Sequence, residues 1–399
     1  MTPRGLLPRC WPDNIMTTFL FYYWHDRRFA RQVGGPMKVF ELANSLIRLG
    51  HRVILFAPRV GFPYQQTSAT VIELPVPDVW GLRQLVFQFM LFWSAWYQGM
   101  RERPSLIYVR IMPSMVPLVI AKVFRRPLYL EVNDDPFVGS ERRGIQRVLD
   151  WSEAWMTRRY VQTADQVFPA THGIRQKLIT LAGGDPERIT VISSGANIEL
   201  CRPRKREDCR RSVRLDQDVH YVGFLGTLFR HQGVQVLIGS ARIIVSERTD
   251  TKFLIVGDGP ERGVLEAYVQ RLGLAEWFVF TGHVPYEQVP VYVGAMDFSV
   301  APFLADRGET SPVKLFDTLA CGRPVIASDI PSVRQVFGGT QCGVLFVPPE
   351  QPEALSDAIR TWLKDDRTVT ALGTAGRQFI VAQHDRTRLA QRVIDTCQC

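Results

Sequence analysis

The chain has 399 residues, 46% hydrophobic and 22% charged, which excludes a disordered polypeptide and supplies cores for two or three domains of about 100–200 residues each. Its formal net charge of +9 and pI near 9.3 favour anionic partners, namely phosphates, nucleic acid or an acidic membrane surface, without choosing among them. Seven cysteines at irregular spacing, with no CxxC pair and no Cys/His cluster of zinc spacing, exclude a disulfide scaffold or zinc module and fit a reducing, cytoplasmic compartment.

Residues 1–14, rich in Pro and Arg and aperiodic, read as a disordered extension, with Met16 an alternative start. The apolar run 19–24 is too short for a signal-peptide core and belongs to a first strand at 17–24. Further strand candidates lie at 52–57, 70–74, 106–110, 128–132 and 166–170, and 190–193 closes the half. Amphipathic or apolar stretches separate them, among them a helix at 37–49, so the alternation predicts a parallel sheet covered by helices. The polar, basic stretch 201–214 reads as a linker. Strands resume at 220–225, 252–256, 277–281, 298–302 and 324–327, and 377–396 reads as helix. The tail Cys397-Gln398-Cys399 reads as frayed, because no polybasic stretch supports a prenylation signal. The expected organisation is two doubly wound α/β domains, 15–200 and 215–375, with a terminal helix at 376–399 that crosses back to the first. Ligands of such sheets sit at the carboxyl ends of the strands, so two facing domains would share one crevice.

Residues 80–100 are apolar and aromatic, but Gln84, Gln88, Ser94 and Gln98 break the run below the length of a transmembrane helix. Packing in the core is one reading. An interfacial role at an anionic membrane is the other, favoured by the Trp and Tyr residues and by Arg101 and Arg103. Nucleic acid is not an expected partner, since no basic patch interleaved with aromatics stands out.

Three motifs can carry chemistry. Gly34-Gly35 lies between the first strand and its helix, where the backbone can approach a ligand and a helix amino end favours phosphate; a plain tight turn is the alternative. Gly257, Gly259 and Gly263 approximate a dinucleotide fingerprint, with Pro260 as a first helical residue, but no acidic residue follows at the required distance. The block 309–327 is the most informative: Ser311 as N-cap, Pro312 as first helical residue and Gly322 as stop define a helix whose amino end suits a pyrophosphate. Glu309 stands before that helix and Asp317 within it, placed to hold hydroxyls at two ends of one ligand; a solvated Asp317 is the alternative.

Taken together, these motifs resemble glycosyltransferase family 4, the retaining group 1 transferases of GT-B fold. The likeness runs through Gly34-Gly35, Gly50-His51-Arg52-Val53, Ser193-Ser194-Gly195, Val222 to Gly226, Gly257-Asp258-Gly259-Pro260, Gly282-His283-Val284 and the 309–327 block, so it covers nearly the whole chain. It implies two facing Rossmann-like domains, an acceptor side first and a nucleotide-sugar side second. It implies that Gly34 and Gly35 approach the donor, that His283 and Val284 lie by the base, and that Glu309 binds the transferred sugar. Asp317 would bind the ribose, and the backbone of Ser311, Pro312, Val313 and Lys314 the sugar and pyrophosphate. The family's second Glu is Asp317 here, and its basic loop pair is replaced by Thr227 and Gln232, leaving Arg230 to meet phosphate and Gln232 on the donor side. The family's first-domain His is not evident; Asn133 and Asp134 become the catalytic-side candidates for touching the acceptor, with turn residues as the alternative.

No Asp-x-Asp pair stands at a strand end, so neither metal nor cofactor is expected beyond the nucleoside-diphosphate sugar as substrate. The resemblance implies retention of configuration, with the departing phosphate taking the acceptor's proton. The expected product is a glycan or lipid-linked sugar of a cell-surface polysaccharide, made at the inner face of the plasma membrane. A non-catalytic nucleotide-sugar-binding homologue, or an epimerase of the same fold, is the rival reading.

Overall fold

A parallel sheet covered on both faces carries apolar side chains at nearly every strand position rather than at alternate ones. Residues 53–57, 106–109 and 253–256 follow that rule, and all are buried. The computed structural model describes residues 16–22, 34–59, 67–77, 82–137, 145–339 and 341–396, with the side chains of 34–38 and 145–150 outside that description. The extension 1–14 and the tail cysteines fall outside these residues.

The chain divides into two compact units. In the first, β1 (Thr17–Phe21), β2 (Arg52–Pro58), β3 (Thr70–Leu74), β4 (Leu106–Arg110), β5 (Leu128–Val132) and β6 (Gln166–Pro169) form a parallel sheet of order β3-β2-β1-β4-β5-β6. The helices between them are α1 (Gly34–Arg48), α2 (Leu82–Glu102), α3 (Val116–Phe124) and α4 (Ile145–Thr163), and α5 (His172–Ala182) follows β6.

The second unit opens with α6 (Arg206–Ser212) and continues through β7 (His220–Leu225), α7 (Val234–Val245), β8 (Thr251–Val256), α8 (Arg262–Arg271), β9 (Phe278–Gly282), α9 (Val289–Ala295) and β10 (Phe298–Ala301). It closes with α10 (Val313–Ala320), β11 (Val325–Ser328), α11 (Pro331–Phe337), β12 (Val344–Val347), α12 (Pro352–Trp362) and α13 (Asp366–Gln383). Its sheet runs β12-β11-β10-β7-β8-β9, which is the order of the first sheet counted from β7. The last helix, α14 (Arg386–Asp395), belongs to the first unit, where Arg386 lies 3.7 Å from Glu41 and Arg48 donates to Thr387 at 3.3 Å. Both sheets thus have a point at which successive strands depart in opposite directions, β1/β4 and β7/β10.

Four expectations are corrected. The edge strand β12 was not foreseen; it is only four residues long and three of the four are not buried. The segment 190–193 lies beside β6 through Thr190 N–H to Val167 O at 3.0 Å and Ile192 N–H to Pro169 O at 3.1 Å, without forming a named strand. The helix expected over 377–396 breaks at His384-Asp385, because Ala196 N–H bonds the His384 carbonyl and Ser193 Oγ meets the His384 ring, both at 3.0 Å.

The fourth concerns the basic stretch 201–214, read as a linker, which contains the helix α6 and is partly buried. Cys201, Cys209 and Arg210 are buried, and Arg210 binds Asp297 at 2.8 Å. Asp297 precedes β10, is buried, and also accepts from Arg206 and from the Tyr221 N–H at 2.6 Å. The opposite charges therefore tie α6 to the amino ends of β7 and β10. Burial alone would raise the Asp297 pKa, but His220, the Tyr221 N–H, Arg210 and Arg206 together hold it below the ordinary value. The hydrogen bond to Asp297, opposed by burial, raises the pKa of His220.

Removing Asp297 would strand a buried guanidinium, so Asp297→Asn should cost about 3–5 kcal/mol. Asp297 has a depressed folded pKa, so its contribution exists above about pH 4 and is lost as pH falls through the folded value. His220 has a raised pKa, so its share is complete below about pH 6.5 and is lost as pH rises through the folded value. Denaturant melts of wild type and Asp297→Asn should therefore differ most between those limits. A difference that persists unchanged into strong acid would show that the charge of Asp297 does not matter.

Candidate functional site

The crevice of a doubly wound sheet opens above the strands that diverge, here the carboxyl ends of β7 and β10. The chain leaves β7 through Gly226, whose φ of +136° is open chiefly to glycine. A Cβ at Gly226 would stand 2.9 Å from Lys314 Cε and 3.0 Å from its Nζ. Gly257, at the end of β8 with φ +137°, passes so close that a Cβ would be 2.0 Å from the Gly226 carbonyl oxygen. Glycine at both points lets the two loops touch and leaves space for the lysine.

Lys314 is the second residue of α10. Its ammonium lies 3.8 Å from the centre of the Phe224 ring and 5.1 Å from that of Phe303. The end of the side chain is buried, and Nζ has no hydrogen-bond partner among the described residues. Ser311 Oγ and Gln232 Oε1 are buried without partners in the same sense. Burial, and then the charge of Arg307, pushes the Lys314 pKa well below the usual lysine range. Arg307 stacks 4.2 Å from the Phe303 ring centre and donates to the carbonyls of Thr310 at 2.8 Å and Ser311 at 3.2 Å. It thereby fixes the loop that carries Glu309. A buried cation is normally paired. Here the environment supplies aromatic faces, which attract an ammonium far less than a counter-ion would. The arrangement is that of a receptor for an anion.

The helix start differs from expectation by one residue. Pro312, with ψ of 62°, is the cap, α10 begins at Val313, and Ser311 makes no side-chain cap. The hydroxyl of Ser311 is thus not consumed by the helix. Gly322, φ +75°, follows the helix as the expected stop. Glu309 stands half-buried on the preceding loop. Asp317 is not a solvated residue: it is buried, and its Oδ1 accepts from the Tyr286 hydroxyl at 3.1 Å, with Cys201 Sγ at 3.8 Å. Tyr286 follows His283 and Val284 after β9, so the 283–286 segment and α10 meet at Asp317. Val284 is buried and His283 exposed. Arg230 is exposed, and His231 stacks on Phe229 with ring centres 5.6 Å apart.

The dinucleotide alternative loses its geometry. Pro260 lies in a turn ahead of α8, which starts at Arg262. The backbone around Gly259 packs on Leu228, whose N–H and carbonyl bond Asp258 O and Glu261 N–H, each at 3.0 Å. That loop serves loop-to-loop contact.

Of the remaining candidates, Gly34 and Gly35 belong to the second unit and Asn133 and Asp134 to the first. Gly34 and Gly35 form the first turn of α1 rather than preceding it. Asn133 follows β5, is buried, and donates its side-chain amide to Glu131, which also accepts from Tyr108 at 2.9 Å. Asp134 is exposed, while the neighbouring Asp135 takes the turn role, accepting from Phe137 N–H at 3.0 Å and pairing with Lys177. Among the described residues, no group of three or more His, Cys, Asp or Glu side chains could hold a metal ion. Sequence reasoning gave Lys314 only a backbone role and missed Arg307 and Tyr286. The one available signal was a lysine inside an otherwise apolar helix start.

Two family models match the chain, one described as Glycosyltransferase Family 4 over residues 34–200 and one as Glycosyl transferases group 1 over residues 205–379. The chain is similar to the alpha-D-kanosaminyltransferase of Streptomyces kanamyceticus, 24% identical over 343 residues that cover 79% of this chain and 86% of that protein. It spans about half the length of other curated relatives, 58% of one and 51% of another. In fold it is similar to sucrose-phosphate synthase from Thermosynechococcus elongatus, with a TM-score of 0.76, 20% identity, and 96% and 98% of the two chains covered. It is also similar to HepE of Anabaena, solved in complex with UDP-glucose, with a TM-score of 0.74, 18% identity, and 96% and 99% covered.

Lys314→Met should raise the melting temperature of the unliganded protein, because it removes a buried cation that has no counter-charge among the described residues. Each kcal/mol recovered corresponds to roughly 2–4 °C for a unit of this size. A lysine with a depressed folded pKa carries its full cost below that pKa, and the cost fades as pH rises toward about 10.4. The gain should therefore be greatest at neutral and acid pH and shrink in alkali. Equal melting temperatures at every pH would mean that the ammonium already has a counter-charge.

Proposed function

Since the chain belongs to the glycosyltransferase family 4, group 1 enzymes of GT-B fold, we propose that it moves a sugar from a nucleoside-diphosphate donor to a glycan or lipid-linked acceptor of a cell-surface polysaccharide, with retention and without a metal. The observation that carries the donor half of this reading is the buried ammonium of Lys314 between Gly226 and two phenyl rings, with no hydrogen-bond partner or ion pair among the described residues. A diphosphate would supply the negative charge that position calls for.

In this reading Lys314 meets the pyrophosphate directly. The Ser311 hydroxyl and the backbone of Pro312 and Val313 bind the phosphate and sugar oxygens, and Arg230 supplies a second cation from the β7 loop. Glu309 holds hydroxyls of the transferred sugar, Asp317 the ribose, and His283 and Val284 flank the base. Gly34 and Gly35 approach the donor, and Asn133 and Asp134 serve from the first unit toward the acceptor. The bond from the anomeric carbon to the phosphate oxygen breaks as the acceptor oxygen bonds that carbon on the same face. The acceptor's proton passes to the departing diphosphate, so no protein base is required. Fixed positive groups stabilise the charge that develops on the leaving oxygen.

UDP is the first probe, and saturating it at about 100 times its dissociation constant should stabilise the wild-type protein by about 2.7 kcal/mol. Lys314→Met should remove that stabilisation. Glu309→Gln should keep UDP affinity while sharply reducing turnover, whereas Asp317→Ala should weaken UDP by about 1.5–3 kcal/mol. Calorimetric titration beside a turnover assay separates the two carboxylates, and the roles are reversed if Glu309→Gln loses the nucleotide and Asp317→Ala keeps it. A protein that binds UDP but turns over no nucleotide sugar with any acceptor would be a non-catalytic homologue.

Turnover should also survive excess EDTA. Complete loss on chelation, restored by manganese or magnesium, would overturn the metal-free mechanism.

A further inference from the structure

In the first unit, α2 turns two unlike faces outward and inward. Phe87, Leu91, Ala95 and Gly99 recur every four residues and are buried against the sheet and α3. On the opposite side, Leu85, Phe89, Trp93, Trp96, Tyr97 and Met100 follow helical spacing and are exposed, Leu85 by 69%, Phe89 by 63% and Met100 by 62%. Rings on this stripe touch edge to face, with Trp93 centred 6.2 Å from Phe89 and 5.7 Å from Trp96. Scattered exposed apolar residues are ordinary, but a continuous aromatic stripe along a helix of 21 residues is not. No helix among the described residues is long and apolar enough to cross a membrane.

Charge is distributed as unevenly. Between residues 82 and 130 the sole acid is Glu102, which is paired with Arg52 at 2.5 Å and more loosely with Arg101 at 3.6 Å. The ring of Phe124 packs so closely on Gly99 that a Cβ there would be 2.3 Å away, which brings the carboxyl ends of α2 and α3 together. Arg101, Arg103, Lys122 and Arg125 are all exposed at these ends. Cations there also offset the helix dipoles. A local dipole does not, however, account for the aromatic stripe beside them.

We propose that the exposed stripe of α2, with the basic cluster at its end, docks the first unit onto the surface of an anionic phospholipid bilayer. Leu85, Phe89 and Met100 would enter the boundary between headgroups and acyl chains, Trp and Tyr would sit at headgroup level, and the four cations would meet lipid phosphates. Charge complementarity selects this occupant. A second copy of the chain would present no exposed acid from α2 or α3 to the cluster, and nucleic acid would leave Leu85 and Met100 unburied.

The test uses the full chain and vesicles of equal parts phosphatidylcholine and phosphatidylglycerol, compared with pure phosphatidylcholine. Wild type should sediment with the anionic vesicles at low salt and be released as salt rises. Phe89→Ser/Trp93→Ser should weaken partitioning by about tenfold or more while its melting curve matches wild type. Arg101→Gln/Arg103→Gln/Lys122→Gln/Arg125→Gln should abolish the preference for anionic vesicles. The proposal is overturned if wild type stays in the supernatant at low salt, or if the aromatic variant binds as well as wild type. It is equally overturned if vesicles fail and light scattering reveals a dimer that the aromatic variant dissolves, or if an oligonucleotide is retained in place of lipid.

Discussion

The ammonium of Lys314 sits where the two halves of the second sheet diverge, against the rings of Phe224 and Phe303 and over Gly226. Holding a cation there without an anion is unfavourable, and the surrounding structure is arranged around that cost. The loops after β7 and β8 touch through two glycines in conformations that other residues avoid. Arg307 pins the loop before α10 by its carbonyls, which keeps a second positive charge close to the first. Proteins commonly place such locally unfavourable groups at functional sites and compensate elsewhere.

Compensation in this unit lies at the other ends of the same strands. Asp297 is as buried as the site's ammonium, yet it is matched by Arg210, Arg206, His220 and a backbone N–H. The two strands that frame the candidate site are therefore held firmly at their amino ends and left electrostatically open at their carboxyl ends. The second carboxylate network, Asp317 with Tyr286 and Cys201, joins α10 to the segment after β9. It couples the element that carries Lys314 to the segment that carries His283 and Val284.

The first unit shows the same strand order with a different surface. Its α2 carries large apolar and aromatic side chains on its exposed face in addition to an apolar buried face. The distinction lies in which positions are exposed, and no overall composition would reveal it.

The sequence by itself determined the α/β class, both sheets and most of their strands, because continuous apolar runs bounded by turn residues can form little else. It also located Glu309, Asp317 and the α10 segment, since a Ser-Pro start and a Gly stop are local signals. Only the tertiary structure decided the rest. That the Lys314 ammonium is buried without a hydrogen-bond partner among the described residues depends on Phe224 and Phe303, 90 and 11 residues away in the chain. That the 201–214 stretch holds an anchored helix, α6, depends on Asp297, 87 residues on from Arg210. That Asn133 is engaged by Glu131, and that the 377–396 helix breaks at His384, depends on partners no local pattern announces. Local spacing fixes which backbone hydrogen bonds can form. Burial and charge pairing are properties of distant side chains brought together, and they exist only once the sheets have closed.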